Sequence, residues 1–345
     1  MVEKMNSLER FEAAMNLEEP DRVPIFYLYF GGGYSVLNEL GVTMREVYYN
    51  AQGIARAQLK AKEMFGHDNV MSPWGCITVE AEALGSKIEV REMNYPKIVD
   101  YVVKDSSDAD RLEVSDPLKD GRMPVVLESL KILVDTVGKD TSVIGFVSSP
   151  FTVLDGIRGF GKVARDMLAD PDILKKMLEI TTSTCIEYGK AMIEQGVNLI
   201  LVKDGFAGAD IMSRTQCSEF DVKYLKPVVT SLQNYGAKVI IGNVSGKPYL
   251  DMQAALNPDA ICFATGDIGE VKRLFSNKIC LIGNVDHTRM PFKSAKDVEE
   301  EAKSCIKEAK EGGGYILSTG CEIPLETPLG NVKALMTAVE RYGVY

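Results

Sequence analysis

Short apolar runs alternate with amphipathic segments along most of the chain. Eight of these runs are rich in β-branched or aromatic residues and end at loop-forming residues, which is typical of strands. The predicted strands cover 24–29, 70–72, 143–148, 199–203, 239–242, 260–264, 279–283 and 315–318. Several are apolar on both faces, as in a parallel sheet covered by helices. The pattern predicts an α/β fold, a (β/α)8 TIM barrel formed by one domain over 1–345.

Helical periodicity fills most of the gaps between these strands and is clear over 172–195, 215–234 and 294–311. The alternation is less regular between the second and third strands. Short alternating runs around Gly85 predict a small hairpin there, followed by a helix over about 124–137. We therefore expect a small hairpin and helical insertion between strands two and three. It should lie at the mouth, the end of the barrel where the strand carboxyl ends meet.

The charge of the chain limits its partners. The 345 residues carry a formal net charge of −10 and form no basic patch. Nucleic acid and anionic membranes would be repelled, so we expect neither as a partner. No apolar run is long enough to cross a bilayer, and the N-terminus predicts a charged amphipathic helix rather than a signal peptide. We therefore expect a cytoplasmic protein, for which a homodimer is compatible with the sequence.

Cysteine and histidine usage restricts the chemistry. The seven cysteines are widely scattered without a CxxC pair, which predicts reduced thiols. The two histidines, His67 and His287, are far apart in the sequence, which excludes a metal site built on several histidines. We expect His287 to be a surface or packing residue rather than a catalyst.

Reacting groups in a barrel come from the strand carboxyl ends, so position selects the candidates. Asp204 follows the fourth predicted strand and Asn243 follows the fifth, and we expect both to be ligands at the mouth. The other candidate binding residues are Glu80, Asp155, Arg158, Lys247, Asn284, Asp286, Arg289 and Cys321. Structural roles are the alternatives: Asp204 as a helix cap, the Gly-Asn pairs as turns, Cys321 as an inert thiol and the cations as solvated charges.

The strand-end motifs, in their order, resemble the uroporphyrinogen decarboxylase superfamily. They read DRVP, TVEAEALG, SPFTVLDGIRG, DGFAG, IIGNV, IGNVD and STGCEIPLETP. Within this superfamily, TVEAEALG and GCEIP with the following TP look like the corrinoid-dependent methyltransferase branch. Its members move a methyl group from a methylated corrinoid protein to an acceptor. The resemblance covers nearly the whole chain and implies a single (β/α)8 barrel with its pocket at the strand carboxyl ends.

Two departures distinguish the chain from the decarboxylases of this superfamily. Those enzymes hold the substrate carboxylates with an arginine-rich loop after strand one, and no arginine occurs here from Tyr27 to Tyr34. Alignment on the shared motifs also places Cys76 at their pyrrole-binding aspartate and Cys321 at their histidine position. The resemblance therefore implies that porphyrinogen decarboxylation is not the activity.

The thiol-methylating members of the branch bind zinc through His-x-Cys at the end of strand five and a cysteine after strand eight. Alignment on Gly242 and Asn243 places Val239 and Ile241 at the first two positions, so only Cys321 remains. Aliphatic side chains do not ligate a metal, so we expect no zinc. A free thiol is mostly protonated at neutral pH, which disfavours a thiol acceptor.

We therefore predict a zinc-independent methyltransferase that moves a methyl group from methylcobalamin on a corrinoid protein to N5 of tetrahydrofolate. It would serve anaerobic one-carbon metabolism in the demethylation of a methylated amine or a similar donor. A ring amine already presents a lone pair and needs orientation rather than a metal. Asn243 is expected to contact N5, and Asp204 to pair with the pterin. Lys247, Arg158 and Arg289 would meet the anionic tail.

Two other interpretations stay open. The chain would be a binding or regulatory barrel if catalysis was lost together with the metal, since a fold does not prove an activity. It would be a methyltransferase or decarboxylase for another small substrate if Cys321 or Glu80 takes part in the chemistry. In the favoured interpretation the corrinoid protein docks over the mouth, because its cofactor is too large to be enclosed.

Overall fold

The structure, a computed structural model, describes residues 5–28, 33–72, 78–275 and 278–345. In chain order its strands are β1 (Asn69–Ser72), β2 (Lys87–Glu89), β3 (Lys97–Asp100), β4 (Ser142–Ser148), β5 (Leu199–Asp204), β6 (Lys238–Asn243), β7 (Ala260–Phe263), β8 (Cys280–Asn284) and β9 (Tyr315–Ser318). Seven of them form a parallel sheet in the order β1-β4-β5-β6-β7-β8-β9, and β2 pairs with β3 in a separate antiparallel sheet. Seven of the eight predicted strands thus correspond to strands of the parallel sheet.

The first predicted strand, 24–29, does not form a continuous ladder, and its last residue lies outside the described residues. Ile25 makes an isolated parallel bridge to Leu317 of β9. On the other side, the backbone N–H of Tyr27 donates to the side-chain oxygen of Asn69 over 2.8 Å. The segment therefore lies between β9 and β1, the two edges of the curled sheet, but side-chain bonds replace part of the strand pairing.

The helices cover the outside of the sheet and its loops. In chain order they are α1 (Ser7–Met15), α2 (Gly33–Leu40), α3 (Met44–Tyr48), α4 (Ala51–Phe65), α5 (Val79–Ala83), α6 (Ser106–Ala109), α7 (Met123–Val137), α8 (Pro150–Arg158), α9 (Phe160–Ala169), α10 (Pro171–Glu194), α11 (Arg214–Gln216), α12 (Lys223–Asn234), α13 (Leu250–Ala254), α14 (Ile268–Phe275), α15 (Ala295–Ala309) and α16 (Leu329–Tyr342). A π-helical turn, Cys217–Val222, joins α11 to α12, and a 3-10 helix, His287–Phe292, follows β8. Among the described residues, no helix is both long and apolar enough to span a bilayer.

The region between β1 and β4 differs from its prediction. Residues before Gly85 form the helix α5 rather than a strand, and Gly85 follows that helix with a φ of +105°. The antiparallel pair lies after Gly85, in β2 and β3. The predicted position of the hairpin is wrong because a run of five alternating residues fits one helical turn as well as a strand. Helix α7 matches the helix predicted over 124–137.

Alternate residues of the parallel strands pack into two separate layers of the core. The inner face carries a cluster that includes Phe146, Leu201, Ile240, Cys262 and Ile282. The outer face packs against the helices through the intervening residues. Because side chains alternate along a strand, this parity decides which residues at the carboxyl ends point inward.

Candidate functional site

Three ionisable side chains meet at the carboxyl ends of the strands. Lys203 is the next inward-facing residue of β5 after Leu201, and only 5% of it is exposed. Its ammonium nitrogen lies 3.9 Å from the sulfur of Cys321, in the loop after β9. His287, at the start of the 3-10 helix after β8, lies close enough to the same thiol to influence its ionisation. We call Lys203, His287 and Cys321 the thiol cluster.

The neighbouring strands make room for the thiol cluster. At Gly242 of β6, a Cβ atom would lie 3.3 Å from Cδ of Lys203 and 3.0 Å from Cδ1 of Leu201. Gly320 has a φ of +69°, and a Cβ there would lie 2.0 Å from the carbonyl oxygen of Phe263, so the turn before Cys321 requires glycine. Close packing against β6 and β7 therefore sets the positions of the lysine and the thiol.

The thiol cluster changes the ionisation of Cys321. Burial alone would raise the pKa of this thiol, but the charge of Lys203 and the neighbouring His287 outweigh burial and lower the pKa to about 6. By contrast, burial raises the pKa of the neighbouring Cys262 to about 12. Since the thiolate is the reactive form of cysteine, these surroundings favour the reactive form at Cys321 and disfavour it at Cys262.

Sequence reasoning missed Lys203 and set His287 aside. The sequence did contain a signal for Lys203, which continues the apolar run LILVKD. Lysine is almost never fully buried unless it is paired, so a lysine in a buried strand indicates a partner nearby. No such signal existed for His287, whose role depends on contact with a loop that follows the next strand. The expectation of a packing histidine stays a prediction, although His287 lies next to Cys321 and influences its ionisation.

The two residues predicted to be catalytic lie on the outer face. The amide nitrogen of Asn243 donates to the carbonyl of Ala207 over 2.9 Å and to Oε1 of Gln253 over 3.0 Å. Its oxygen accepts the N–H of Ser245 over 2.8 Å, and the residue is fully buried. The predicted contact of Asn243 with N5 of a folate is therefore not available in this arrangement, because these bonds hold the loops after β5 and β6.

Asp204 belongs to the same buried network. Its carboxylate accepts the N–H of Phe206 over 3.0 Å and the amide of Gln253 over 2.6 Å. Burial raises its pKa, and burial together with the charge of Asp204 raises the pKa of its hydrogen-bonded neighbour Asp221. The predicted pairing of Asp204 with a pterin is likewise not available, because the side chain points away from the inner face.

Glu80 of α5 lies beside the same end of the sheet. Its carboxylate accepts the N–H of Ser148 over 2.7 Å and the hydroxyl of Ser148 over 3.3 Å. In the β4–β5 register, Ser148 pairs with Lys203, which places Glu80 next to the strand ends of the thiol cluster. Burial raises the pKa of Glu80 to about 7, although the bonds from Ser148 and the charge of Arg122 act in the opposite direction.

Other predicted binding residues already have partners inside the protein. Arg158 forms a buried ion pair with Asp166 over 2.8 Å, so it is not available as a mouth cation for an anionic tail. The amide nitrogen of Asn284 donates to the carbonyl of Gly266 over 2.7 Å, which supports its alternative role in a turn. Burial raises the pKa of the half-buried Asp155, although it accepts the N–H of Phe160.

The remaining three lie around the rim of the strand ends. Asp286 caps the 3-10 helix by accepting the N–H of Thr288 over 3.0 Å, and its bonds to Thr288 outweigh burial and lower its pKa. Lys247 and Arg289 are both exposed. These two cations are therefore accessible to a ligand that reaches the rim.

The positions aligned with a zinc ligand pair have no ligand atoms. Val239 and Ile241 are buried in the outer aliphatic cluster, and the inward-facing positions of β6 are Ile240 and Gly242. A shift of the alignment by one residue therefore places no ligand atom on this strand either. Across the described ranges, no group of three or more His, Cys, Asp or Glu side chains is arranged to hold a metal ion, and Cys76 lies outside those ranges. The described residues do not fit tetrahedral zinc, which needs four ligands.

Comparison with known proteins finds full-length similarity. The family model for uroporphyrinogen decarboxylase (URO-D) matches residues 6–342. The chain is 28% identical to methylcobamide:CoM methyltransferase MtaA of Methanosarcina barkeri, over 96% of this chain and 97% of that protein. It is 25% identical to methylcobamide:CoM methyltransferase MtbA of Methanosarcina mazei, over 97% of each. A solved methyltransferase from Methanosarcina mazei superposes with a TM-score of 0.87 at 27% identity, over 98% of this chain and 99% of that one.

Proposed function

Because the chain belongs to the uroporphyrinogen decarboxylase (URO-D) family, we propose that it is a corrinoid-dependent methyltransferase. The methyl donor would be a methylated corrinoid on a partner protein, and a small acceptor would bind beside the thiol cluster. The similarity to methylcobamide:CoM methyltransferases over nearly the whole chain supports this proposal. The position of the thiol cluster supports it too, because ligands of such folds bind at the carboxyl ends of the strands.

We propose N5 of tetrahydrofolate as the acceptor, in a reaction that uses no zinc. The observation that carries this choice is β6, whose inward residues Ile240 and Gly242 supply no group that could activate a thiol through a metal. A ring amine needs only orientation, because its lone pair is present at neutral pH. Pterin contacts would come from the inner face rather than from Asn243 and Asp204, and Lys247 and Arg289 would meet the folate tail.

In this reaction the corrinoid supplies an electrophilic methyl group. The acceptor nitrogen gains that methyl group and loses its proton, so the site needs a proton acceptor. His287 is proposed for this role, since its Nδ1 is buried and has no hydrogen-bond partner among the residues that the structure describes. Lys203 is proposed to orient the acceptor through its ammonium group, which lies at the same point of the inner face.

A thiol acceptor is the second candidate. Lys203 and His287 lower the pKa of Cys321 to about 6 against the effect of burial, so these two side chains favour a thiolate at this point without a metal. An incoming thiol would lie beside the same two side chains. The names of the relatives, which specify CoM as their acceptor, also favour this candidate.

Demethylation of methylcobalamin, followed by its absorbance change, tests these proposals. Parallel reactions would contain tetrahydrofolate or coenzyme M, each with and without a chelator, and a reaction without the protein as the control. Tetrahydrofolate-dependent turnover that the chelator leaves unchanged is the expected result. Turnover with coenzyme M but not with tetrahydrofolate would favour a thiol acceptor over tetrahydrofolate. Absence of turnover with both, repeated with a methylated corrinoid protein as donor, would refute corrinoid-dependent transfer and favour a binding protein.

A further inference from the structure

Cys321 has the surroundings of an activated nucleophile. Of the six cysteines in the described residues, it is the one that is partly exposed, whereas the other five are buried. The ammonium nitrogen of Lys203 lies 3.9 Å from its sulfur, and His287 interacts with the same thiol. A cysteine beside a lysine ammonium group and a histidine is the arrangement in which a thiol reacts as the thiolate.

The fold holds this arrangement without help from a ligand. Lys203 is 95% removed from solvent at the end of β5, and Gly242 leaves the space that its side chain fills. The 3-10 helix that begins at His287 is anchored by Asn331, whose amide donates to the carbonyls of Met290 and Lys293 over 2.7 and 2.8 Å. Lys203 and His287 are therefore both in place before any substrate arrives, which is the condition for electrostatic activation.

We propose that Cys321 is a covalent alkylation site, and that it takes the methyl group of the methylated corrinoid when no acceptor is bound. The second part rests on the proposed function. A lone pair of the sulfur forms the S–CH3 bond while the Co–CH3 bond breaks. The electron pair of the broken bond stays on cobalt, which goes from cobalt(III) to cobalt(I), and the thiolate becomes a neutral thioether. The proton of the thiol goes to solvent before this step, so no further reactant is needed.

Methylation of Cys321 would disable the site. The thioether carries no charge, so Lys203 and His287 lose their anionic partner, and the added methyl group occupies the place where the acceptor binds. An S-methyl thioether does not return its methyl group to cobalt(I) without activation, so the change accumulates. The protein would inactivate itself in the presence of donor alone, and a bound acceptor would protect it.

Alkylation by iodoacetamide tests the nucleophile directly. The full chain would be labelled for short times between pH 5 and pH 9, and the labelled peptide of Cys321 quantified by mass spectrometry. We expect a labelling midpoint near pH 6 in the unchanged protein. In Lys203→Met the midpoint should move toward about 8.5, the value of an ordinary thiol. A midpoint of about 8 or higher in the unchanged protein would overturn the proposal.

The size of the effect follows from two opposing factors. At pH 6.5 a midpoint of 8.5 instead of 6 reduces the thiolate fraction about 75-fold, but the more basic thiolate is intrinsically about tenfold more reactive. The labelling rate of Lys203→Met at pH 6.5 should therefore fall about five- to tenfold. Cys305→Ser is the matched control, since that buried thiol lies outside the cluster and its loss should leave the midpoint unchanged. If Lys203→Met fails to fold, His287→Gln should move the midpoint in the same direction.

Incubation with methylcobalamin in the absence of acceptor tests the methyl uptake. We expect one added methyl group on the Cys321 peptide, a parallel loss of turnover, and protection of both by the acceptor. Turnover with acceptor but no methylated Cys321 would overturn the methyl uptake and leave the proposed function intact. Selective iodoacetamide labelling without turnover on any acceptor would refute the proposed function and support Cys321 as an alkylation site.

Discussion

Replacement of Glu80 by glutamine should remove a pH dependence of the free energy of unfolding. Burial raises the pKa of Glu80 to about 7 in the folded protein, against an ordinary value of 4.5. Each pKa unit corresponds to about 1.4 kcal/mol, so the full difference is about 3 kcal/mol. Because the folded pKa is the higher one, the folded state binds the proton more tightly. Its contribution to stability is complete below pH 4.5 and is lost as the pH rises through 7.

Urea unfolding at pH 5 and pH 8 measures this contribution. Integration between these two pH values predicts that the unchanged protein loses about 2.5 kcal/mol more than Glu80→Gln. The other titrating groups cancel in this comparison, and glutamine imitates the protonated acid because it keeps an acceptor for the N–H of Ser148. Glu326→Gln, at an exposed position, is the matched control and should leave the pH dependence unchanged. Parallel stability curves for Glu80→Gln and the unchanged protein would refute the reasoning.

Two further substitutions test buried polar networks. Asn243→Ala should destabilise the protein by about 1–3 kcal/mol in urea unfolding, because it leaves the N–H of Ser245 and Oε1 of Gln253 without the partners that the Asn243 side chain provides. Loss of turnover without loss of stability would instead restore the catalytic role predicted for this residue. Asp68→Asn should cost about 3–5 kcal/mol, because the fully buried carboxylate pairs with Arg10 over 2.8 Å and Arg22 over 2.9 Å. An unchanged unfolding midpoint would show that the two arginines find other partners.

Patterns within short stretches of sequence located most of the fold. Strands β4 to β9 and helix α7 lie where the spacing of hydrophobic residues and the positions of loop residues predicted them. Apolar runs bounded by turn residues are strong local evidence for a strand or a helix. The family resemblance is confirmed by the match over residues 6–342. The segment before Gly85 was misassigned, since five residues are too few to separate a strand period from a helical turn.

The candidate site was predicted less well than the fold. Position at a strand end selected Cys321, which lies beside Lys203 on the inner face, and it also selected Asp204 and Asn243, which lie on the outer face. Lys203 and Asp204 are consecutive residues of β5, and consecutive side chains of a strand point to opposite faces of the sheet. Lys203 therefore lies on the inner face and Asp204 on the outer face. Proximity to a strand end is therefore a weaker guide to function than the direction in which the side chain points.

By itself, the sequence determined the order of the strands and helices, the acidic charge, the family, and the aliphatic residues of β6. These properties depend on residue identities and on the spacing of hydrophobic residues over a few positions. Only the tertiary structure decided that Lys203 and Cys321, 118 residues apart, share one point of the inner face with His287. The physical reason is that the pKa of a thiol depends on charges within a few ångströms, and those distances are created by the packing of strands that are remote in the chain.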